Sequence, residues 1–394
     1  MRILMFLPRH MRFGPSNATS IDLCVRDLVT ASRFRSSTTV VCCENETLFS
    51  GIDVMTYSRT VDDSRRRKIA FALEQVLRSA PDLIVVQQHL PTAAALASRT
   101  NTPVVLHKHN MIKDIPRHGV WNSFRRRFKH RQYRALAGMI FVSGTCRNAF
   151  AADWPEVQLP SAIVYNGLDF SQWQPSAQKR DEIICVGRAA PEKGIKEAAE
   201  ALVSVLQEHP DWRARFILSE PSRFPDYLED VLAVVRPWQD RIAIDMARPF
   251  AEVKEHCQNA AIAIIPSKWE EPFGRTALEA HAAGCAVISS GTGGLSEIAP
   301  EHTLMLPPGF TAGHIADQVR RLILDRELRV RLASAGREHC AKKFALAEVA
   351  READNFYESA IAPRTGGIVP ARPRSIGEPG EAPRPQSSST VHTS

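Results

Sequence analysis

Short apolar runs rich in β-branched residues alternate with longer stretches of helical period along most of the chain. In the first half, Arg2–Leu7, Thr39–Cys43, Leu83–Gln87, Val104–His107, Met139–Ser143 and Ala162–Tyr165 read as strands. In the second half, Ile183–Gly187, Arg215–Leu218, Ile242–Ile244, Ile262–Pro266 and Ala286–Ser289 do the same. Segments such as Lys196–Gln207 and Thr276–Ala283 carry the apolar spacing of amphipathic helices between them. Strands alternating with helices imply βαβ crossovers, and hence parallel, doubly wound sheets covered on both faces. Two such series are present. They part at 166–180, where Asn-Gly-Leu-Asp and a Pro/Ser/Gln/Lys stretch interrupt the pattern. Helical segments then continue from 311 to 361. Beyond 362 the chain is rich in Pro, Arg, Gly and Ser and nearly free of large apolar residues, a composition that predicts disorder. The expected divisions are a first domain at 1–170, a second at 171–346, a terminal helix at 347–362 and a tail at 363–394.

Length agrees with this division, since 394 residues fit two domains of about 150–200 each. No apolar run reaches the roughly 20 residues that span a bilayer. The opening Met1–Pro8 is too short for a signal peptide and reads as a first buried strand. Eight scattered cysteines form no C-x-x-C pair, which argues against zinc or a disulfide framework and for buried thiols in a reducing, cytoplasmic setting. Charge is uneven. Residues 1–178 hold 23 Lys and Arg against 13 Asp and Glu, while residues 179–362 hold 23 against 28. The basic first half is expected to face something anionic.

In open parallel sheets, ligands bind at the carboxyl ends of strands, where loops and helix starts converge. Three such loops stand out in the second half. Gly187-Arg188 through Lys193-Gly194 sets two cations five residues apart at the turn into a helix; this suits a pyrophosphate, or equally a solvated turn. In the second loop, Pro272 biases Glu271 towards an extended conformation. Glu279 follows eight residues later, so the two carboxylates can grip hydroxyls at the two ends of a nucleotide-sugar; the plainer reading of Glu279 is an exposed helix carboxylate. The third loop, Gly291-Thr-Gly293-Gly294-Leu295-Ser-Glu297, offers backbone N–H groups to phosphate oxygens. A dinucleotide fingerprint would need glycine at 296, where the chain has Ser, and no strand-linked P-loop occurs.

Glu271-Pro-Phe273-Gly274-(x4)-Glu279-Ala, followed by Gly293-Gly294-Leu295-Ser-Glu297, resembles the E-x7-E motif and glycine loop of glycosyltransferase family 4. Gly187-Arg188-(x4)-Lys193-Gly194 is similar to that family's G-R-x-x-x-x-K-G. Asn166-Gly-Leu-Asp169 is similar to its N-G-V-D at the domain junction. The resemblance implies the GT-B fold: two Rossmann-like domains facing each other across a cleft, with the terminal helix packing back on the first. It also implies a retaining transfer from a UDP-, GDP- or other nucleotide-sugar co-substrate, with no cofactor. Arg188 and Lys193 would hold the diphosphate, Glu271 the transferred sugar, Glu279 the ribose, and the Gly293–Gly294 backbone the phosphate and sugar. Gly187, Phe273, Gly274 and Leu295 belong to the same donor site. Pro103–His109 resembles the family's strand ending in a histidine beside the reacting sugar, with His109 the better match and His107 the second; a satisfied strand-end histidine is the plain alternative. The family's paired-glycine loop after the first strand is represented here only by Gly14, and the glycine-rich stretch after the second domain's second strand reads Leu218-Ser219-Glu220-Pro221.

The acceptor implied is a glycan or lipid-linked sugar in polysaccharide or lipopolysaccharide assembly. Competing readings are a nucleotide-sugar epimerase of the same fold and a non-catalytic assembly or sugar-binding subunit. The basic stretch carries no recognised nucleic-acid motif. No Asp-x-Asp occurs anywhere in the sequence, so metal-independent chemistry is expected. Residues 117–134 combine many cations with Trp121, Phe124 and Phe128 on one helical stripe, and no acid occurs from Ile115 to Ala152. This predicts peripheral association with an anionic membrane surface or, as readily, a core-facing stripe with a solvated basic face.

Overall fold

In the computed structural model, which describes residues 1–16, 18–112 and 114–362, the first half of the chain forms one parallel sheet. Its strands are β1 (Ile3–Phe6), β2 (Thr38–Cys43), β3 (Asp53–Tyr57), β4 (Leu83–Gln87), β5 (Val104–Lys108), β6 (Gly138–Phe141) and β7 (Ser161–Ile163). The crossovers carry α1 (Ser20–Ala31), α2 (Arg59–Asp62), α3 (Arg65–Ser79), α4 (Leu90–Ala97), α5 (Val120–Arg134) and α6 (Gly144–Asp153). The second half repeats the plan with β8 (Arg180–Arg188), β9 (Arg213–Ser219), β10 (Ile242–Met246), β11 (Ala260–Ile265), β12 (Ala286–Ser289) and β13 (Thr303–Met305). Its helices are α7 (Ile195–Glu208), α8 (Pro225–Val235), α9 (Phe250–Asn259), α10 (Arg275–Ala282), α11 (Ala312–Leu324), α12 (Arg326–Lys343) and α13 (Leu346–Ile361). The tail expected to be disordered, 363–394, lies outside the described residues.

The sheets run β3-β2-β1-β4-β5-β6-β7 and β10-β9-β8-β11-β12-β13, all parallel. Both are doubly wound, and the strand order reverses beside β1 in the first and beside β8 in the second. A central parallel strand is covered on both faces, so it must be apolar on both sides; β11, Ala-Ala-Ile-Ala-Ile-Ile, is buried along its whole length. The sequence pattern gives no sign of β3 or β13. Both are edge strands, with only Tyr57 and Thr303 buried respectively. An edge covered poorly on its faces leaves no clear apolar pattern to read.

The expected return of the terminal helix to the first domain is present. Val349, Ala350, Ala353 and Tyr357 of α13 are buried with Ile3 and Met5 of β1 and Val25 and Leu28 of α1. Asp354 accepts from Ser32 Oγ at 2.6 Å and from the Arg33 N–H at 2.9 Å. The start of α13 is pinned to the Asn-Gly-Leu-Asp junction, because Leu168 N–H donates to the Phe344 carbonyl and Leu346 N–H to the Leu168 carbonyl, both at 3.0 Å.

The two lobes share a seam. Phe273 packs with Tyr165 and Phe344, with ring centroids 6.0 and 5.7 Å away. The Glu297 carboxylate crosses to the N-terminus of α6, accepting from Gly144 N–H at 2.9 Å, Thr145 N–H at 2.8 Å and Thr145 Oγ1 at 2.8 Å, and from Tyr165 Oη at 3.0 Å. An anion there satisfies otherwise orphaned first-turn donors and complements the helix dipole.

Candidate active site

Three loops meet at the point where strand order reverses in the second sheet, which is where open α/β sheets place their ligands. The first leaves β8 at Arg188, the second leaves β11 at Pro266, and the third leaves β12 at Ser290. They are locked together by backbone contact. Gly194 has φ +65°, and a Cβ there would stand 2.0 Å from the Pro266 carbonyl oxygen. Lys268 N–H donates to the Glu192 carbonyl at 2.8 Å. Gly293 has φ +59°, and a Cβ on it would lie 2.4 Å from the Glu271 carbonyl oxygen. Only glycine fits both demands at these two positions.

This packing brings Lys193 and Glu271 together as an ion pair. Ser267 Oγ donates to the same Glu271 oxygen at 2.7 Å. Lys193 Nζ also lies 5.5 Å from the Trp269 ring centroid. Arg188, partly exposed, bonds Glu192 at 3.0 Å and stands 4.0 Å from Glu220. Glu220 is held at φ +51°. The loop that departs from the family pattern therefore sets a carboxylate beside Arg188. Two cations and three carboxylates thus line the carboxyl edge of the sheet, Lys193 paired with Glu271 and Arg188 with Glu192 and Glu220.

Several expectations for this region need correction. The Gly294 N–H is not free for a phosphate, because it donates to the Glu271 carbonyl at 2.6 Å. A Cβ on Gly294 would strike Pro272 and Phe273, so this glycine serves loop-to-loop packing. The Phe273 and Leu295 side chains are buried core members rather than lining groups, and Gly274 admits Leu295, whose Cδ2 would lie 2.3 Å from a Cβ. Gly187 has room for a Cβ, with Ile195 Cδ1 at 3.7 Å, so no close approach explains it. Gly14 is packed against the 45–47 loop, its Cβ position 1.9 Å from the Thr47 carbonyl oxygen. A packing role accounts for it.

Glu279 is buried, not an exposed helix carboxylate. Arg275 Nε donates to Glu279 Oε1 at 2.7 Å, one turn earlier on α10, and Arg275 reaches Asp27 of α1 at 3.0 Å and Cys24 Sγ at 3.2 Å. Burial raises the Glu279 pKa, and the Arg275 charge opposes that rise. The motif gave no role to Arg275. Its i,i+4 spacing to Glu279 is the signal that could have exposed the pair; Asp27, 248 residues away, is beyond such reasoning.

On the facing lobe, His109 follows β5 and stacks on His107 with centroids 4.4 Å apart, so both share the expected face. His109 Nε2 bonds the Gln87 side-chain oxygen at 2.7 Å. A carboxamide oxygen only accepts, so Nε2 carries the proton. Its main-chain N–H bonds Gln88 Oε1 at 3.0 Å. Burial, with His107 and Lys108 adding to it, holds the His109 imidazole well below its ordinary pKa. His107, with neither ring nitrogen bonded to protein, is pushed down by burial to about 3. Both rings are neutral. The two lobes meet near them, since Cys146 Sγ is 3.3 Å from the Met111 sulfur and 3.3 Å from the Pro272 carbonyl oxygen.

Residues 38–172 match the model of Glycosyltransferase Family 4, and residues 169–339 match that of Glycosyl transferases group 1. The D-inositol 3-phosphate glycosyltransferase of Corynebacterium efficiens is 31% identical over 230 residues, covering 54% of this chain and 54% of that protein. The alpha-maltose-1-phosphate synthase of Mycolicibacterium smegmatis is 25% identical over 254 residues, covering 58% and 64%. The chain thus spans about half to two thirds of the length of the curated relatives it matches. The crystal structure of Anabaena HepE in complex with UDP and glucose aligns with a TM-score of 0.73 at 18% identity, covering 91% of this chain and 100% of that one. Sucrose-phosphate synthase of Thermosynechococcus elongatus aligns with a TM-score of 0.73 at 18% identity, covering 92% and 100%. Two glycosyltransferase models thus match successive halves of the chain, and its two parallel-sheet lobes have the GT-B fold of these structures.

Proposed function

We propose that this protein moves a sugar from a nucleoside-diphosphate sugar to a glycan or lipid-linked acceptor, with retention of configuration and without a metal ion, in polysaccharide or lipopolysaccharide assembly. The observation that carries the reading is the Lys193–Glu271 pair at the carboxyl edge of the second sheet, with Arg188 held by Glu192 on the same loop as Lys193. A cation and a carboxylate facing one point suit the junction of a donor, where a diphosphate oxygen joins a sugar rich in hydroxyls. HepE, one of the structural neighbours, holds UDP and glucose, which supports a donor of that class.

In the proposed reaction the bond from the anomeric carbon to the diphosphate oxygen breaks while the acceptor oxygen bonds to the same face. The departing diphosphate gains negative charge and takes the acceptor's proton. Arg188 and Lys193 stabilise that charge, a role a divalent ion fills in other transferases. Glu271 orients the sugar, and neutral His109 stands on the acceptor side as a polar contact rather than a charge.

A thermal-shift screen of UDP-, GDP-, ADP- and TDP-sugars identifies the donor, because a bound ligand stabilises the fold by mass action. Release of nucleoside diphosphate is then measured with and without candidate acceptors. Acceptor-dependent release is expected. Epimerised sugar or free nucleotide formed without acceptor would favour the epimerase reading, and binding without any turnover would favour a non-catalytic subunit.

A further inference from the structure

The aromatic stripe of α5 faces outward, which overturns the core-facing reading. Val120 is 91% exposed, Trp121 74%, Phe124 66% and Phe128 59%. Trp269, at 36%, is the one other exposed large aromatic among the described residues. The opposite face of the helix is fixed to the protein. Tyr133 is buried edge-on against Phe150 and Trp154, with centroids 5.1 and 5.3 Å away. Arg126 lies over the Trp154 ring at 4.2 Å and donates to the Asp153 carbonyl at 2.7 Å and to Glu156 at 2.8 Å. Asp114 and Glu156, two of the acids flanking this segment, are both engaged with the inward Arg126.

At 3.6 residues per turn, Trp121, Phe124 and Phe128 fall within about 60° of one another and point roughly opposite to Arg126 and Tyr133. Arg125 and Lys129 then line one flank of the aromatic ridge, and Arg127, Arg131 and Arg134 line the other. Residues 115–152 contain no acid to neutralise them. The result is an apolar ridge along the outermost line of the helix with cations on both shoulders. A helix lying in a bilayer interface has this section: its ridge enters the headgroup–acyl boundary, and its flanking cations sit level with the phosphates.

We propose that α5 docks this protein on an anionic lipid surface. The charge complementarity selects the occupant. A protein partner would need acidic groups on both sides of an aromatic-lined groove, and a nucleic-acid strand would need a concave track, whereas α5 presents a convex ridge.

The test is flotation of the full-length protein with vesicles of phosphatidylcholine alone or with about one third phosphatidylglycerol. Wild type is expected to float with the anionic vesicles only, and less as salt rises. The triple variant W121S/F124S/F128S is expected to lose at least about tenfold in partitioning, and R125Q/R127Q/R131Q a similar amount. All six side chains are exposed, so both variants should keep the wild-type melting temperature. A protein that stays with the soluble fraction on anionic vesicles would overturn the proposal, as would flotation unchanged by the aromatic substitutions. Retention on a DNA duplex or single-stranded RNA without flotation would assign the surface to nucleic acid instead. Sugar-transfer activity is not read in any arm, so failure here leaves the catalytic reading standing.

Discussion

Arg275 joins Asp27 at 3.0 Å, an ion pair between α10 of the second lobe and α1 of the first, and the same guanidinium holds Glu279 at 2.7 Å. One buried cation thus ties the two lobes and neutralises the carboxylate that the motif assigns to the ribose. Removing Arg275 leaves the buried Glu279 without its cation, although Asp27 keeps Arg26; removing Asp27 leaves Arg275 still paired with Glu279. R275A is therefore expected to cost about 3 kcal/mol or more, and D27A clearly less. Melting temperatures of both variants check the order, and an equal or larger loss in D27A would contradict it.

Glu271 and Glu279 should differ in kind. Glu271 sits at the loop junction beside Lys193, whereas Glu279 lies within α10, buried and paired with Arg275. E271A is expected mainly to lower kcat and E279A mainly to weaken donor binding. Each charged hydrogen bond lost costs roughly 1.5–3 kcal/mol. Lys193 is expected to couple to Glu271, so the E271A/K193A double variant should lose less than the sum of the single losses. Full additivity would show that the pair does not act on the donor together.

Acid should destabilise the fold in a definite window. Burial lowers the pKa of His107 and His281 to about 3 and of His89 to about 4. Between the ordinary value of 6.5 and those values, the unfolded chain binds protons that the folded chain refuses. Stability is therefore complete above pH 6.5 and falls as pH drops towards 4, by at most about 1.4 kcal/mol per pH unit for each such histidine. H281Q, which removes a fully buried ring bonded to Thr303 Oγ1 at 3.0 Å, should melt lower but lose less per pH unit between 6.5 and 4.5. A slope identical to wild type would rule out His281 as a contributor.

Alternation of apolar runs and helices was enough to read the two doubly wound lobes, because central strands such as β11 are apolar on both faces. The loops after β8, β11 and β12 were legible for the same reason, since each follows a strand that could be placed. Spacing could not say what the glycines touch. Gly293 and Gly294 look like phosphate loops in sequence, yet their missing side chains admit the Glu271–Phe273 backbone. Partners far apart in the chain were also hidden, as with Arg275 and Asp27 or Glu297 and the start of α6. The α5 stripe shows a third limit. Periodicity reveals that Trp121, Phe124 and Phe128 share a face, but only packing at Arg126 and Tyr133 decides which way that face points.

Metal-free sugar transfer through Arg188 and Lys193 is tested most directly by initial rates with the preferred donor, with and without excess EDTA, for wild type, R188A and R188K. Wild type is expected to keep its rate in EDTA. R188A is expected to fall by at least about tenfold, equivalent to roughly 1.4 kcal/mol of barrier. R188K should recover only part of it, because an ammonium cannot reproduce the guanidinium fork. Complete loss of wild-type activity in EDTA, restored by Mg²⁺ or Mn²⁺, or an R188A enzyme as fast as wild type, would contradict it.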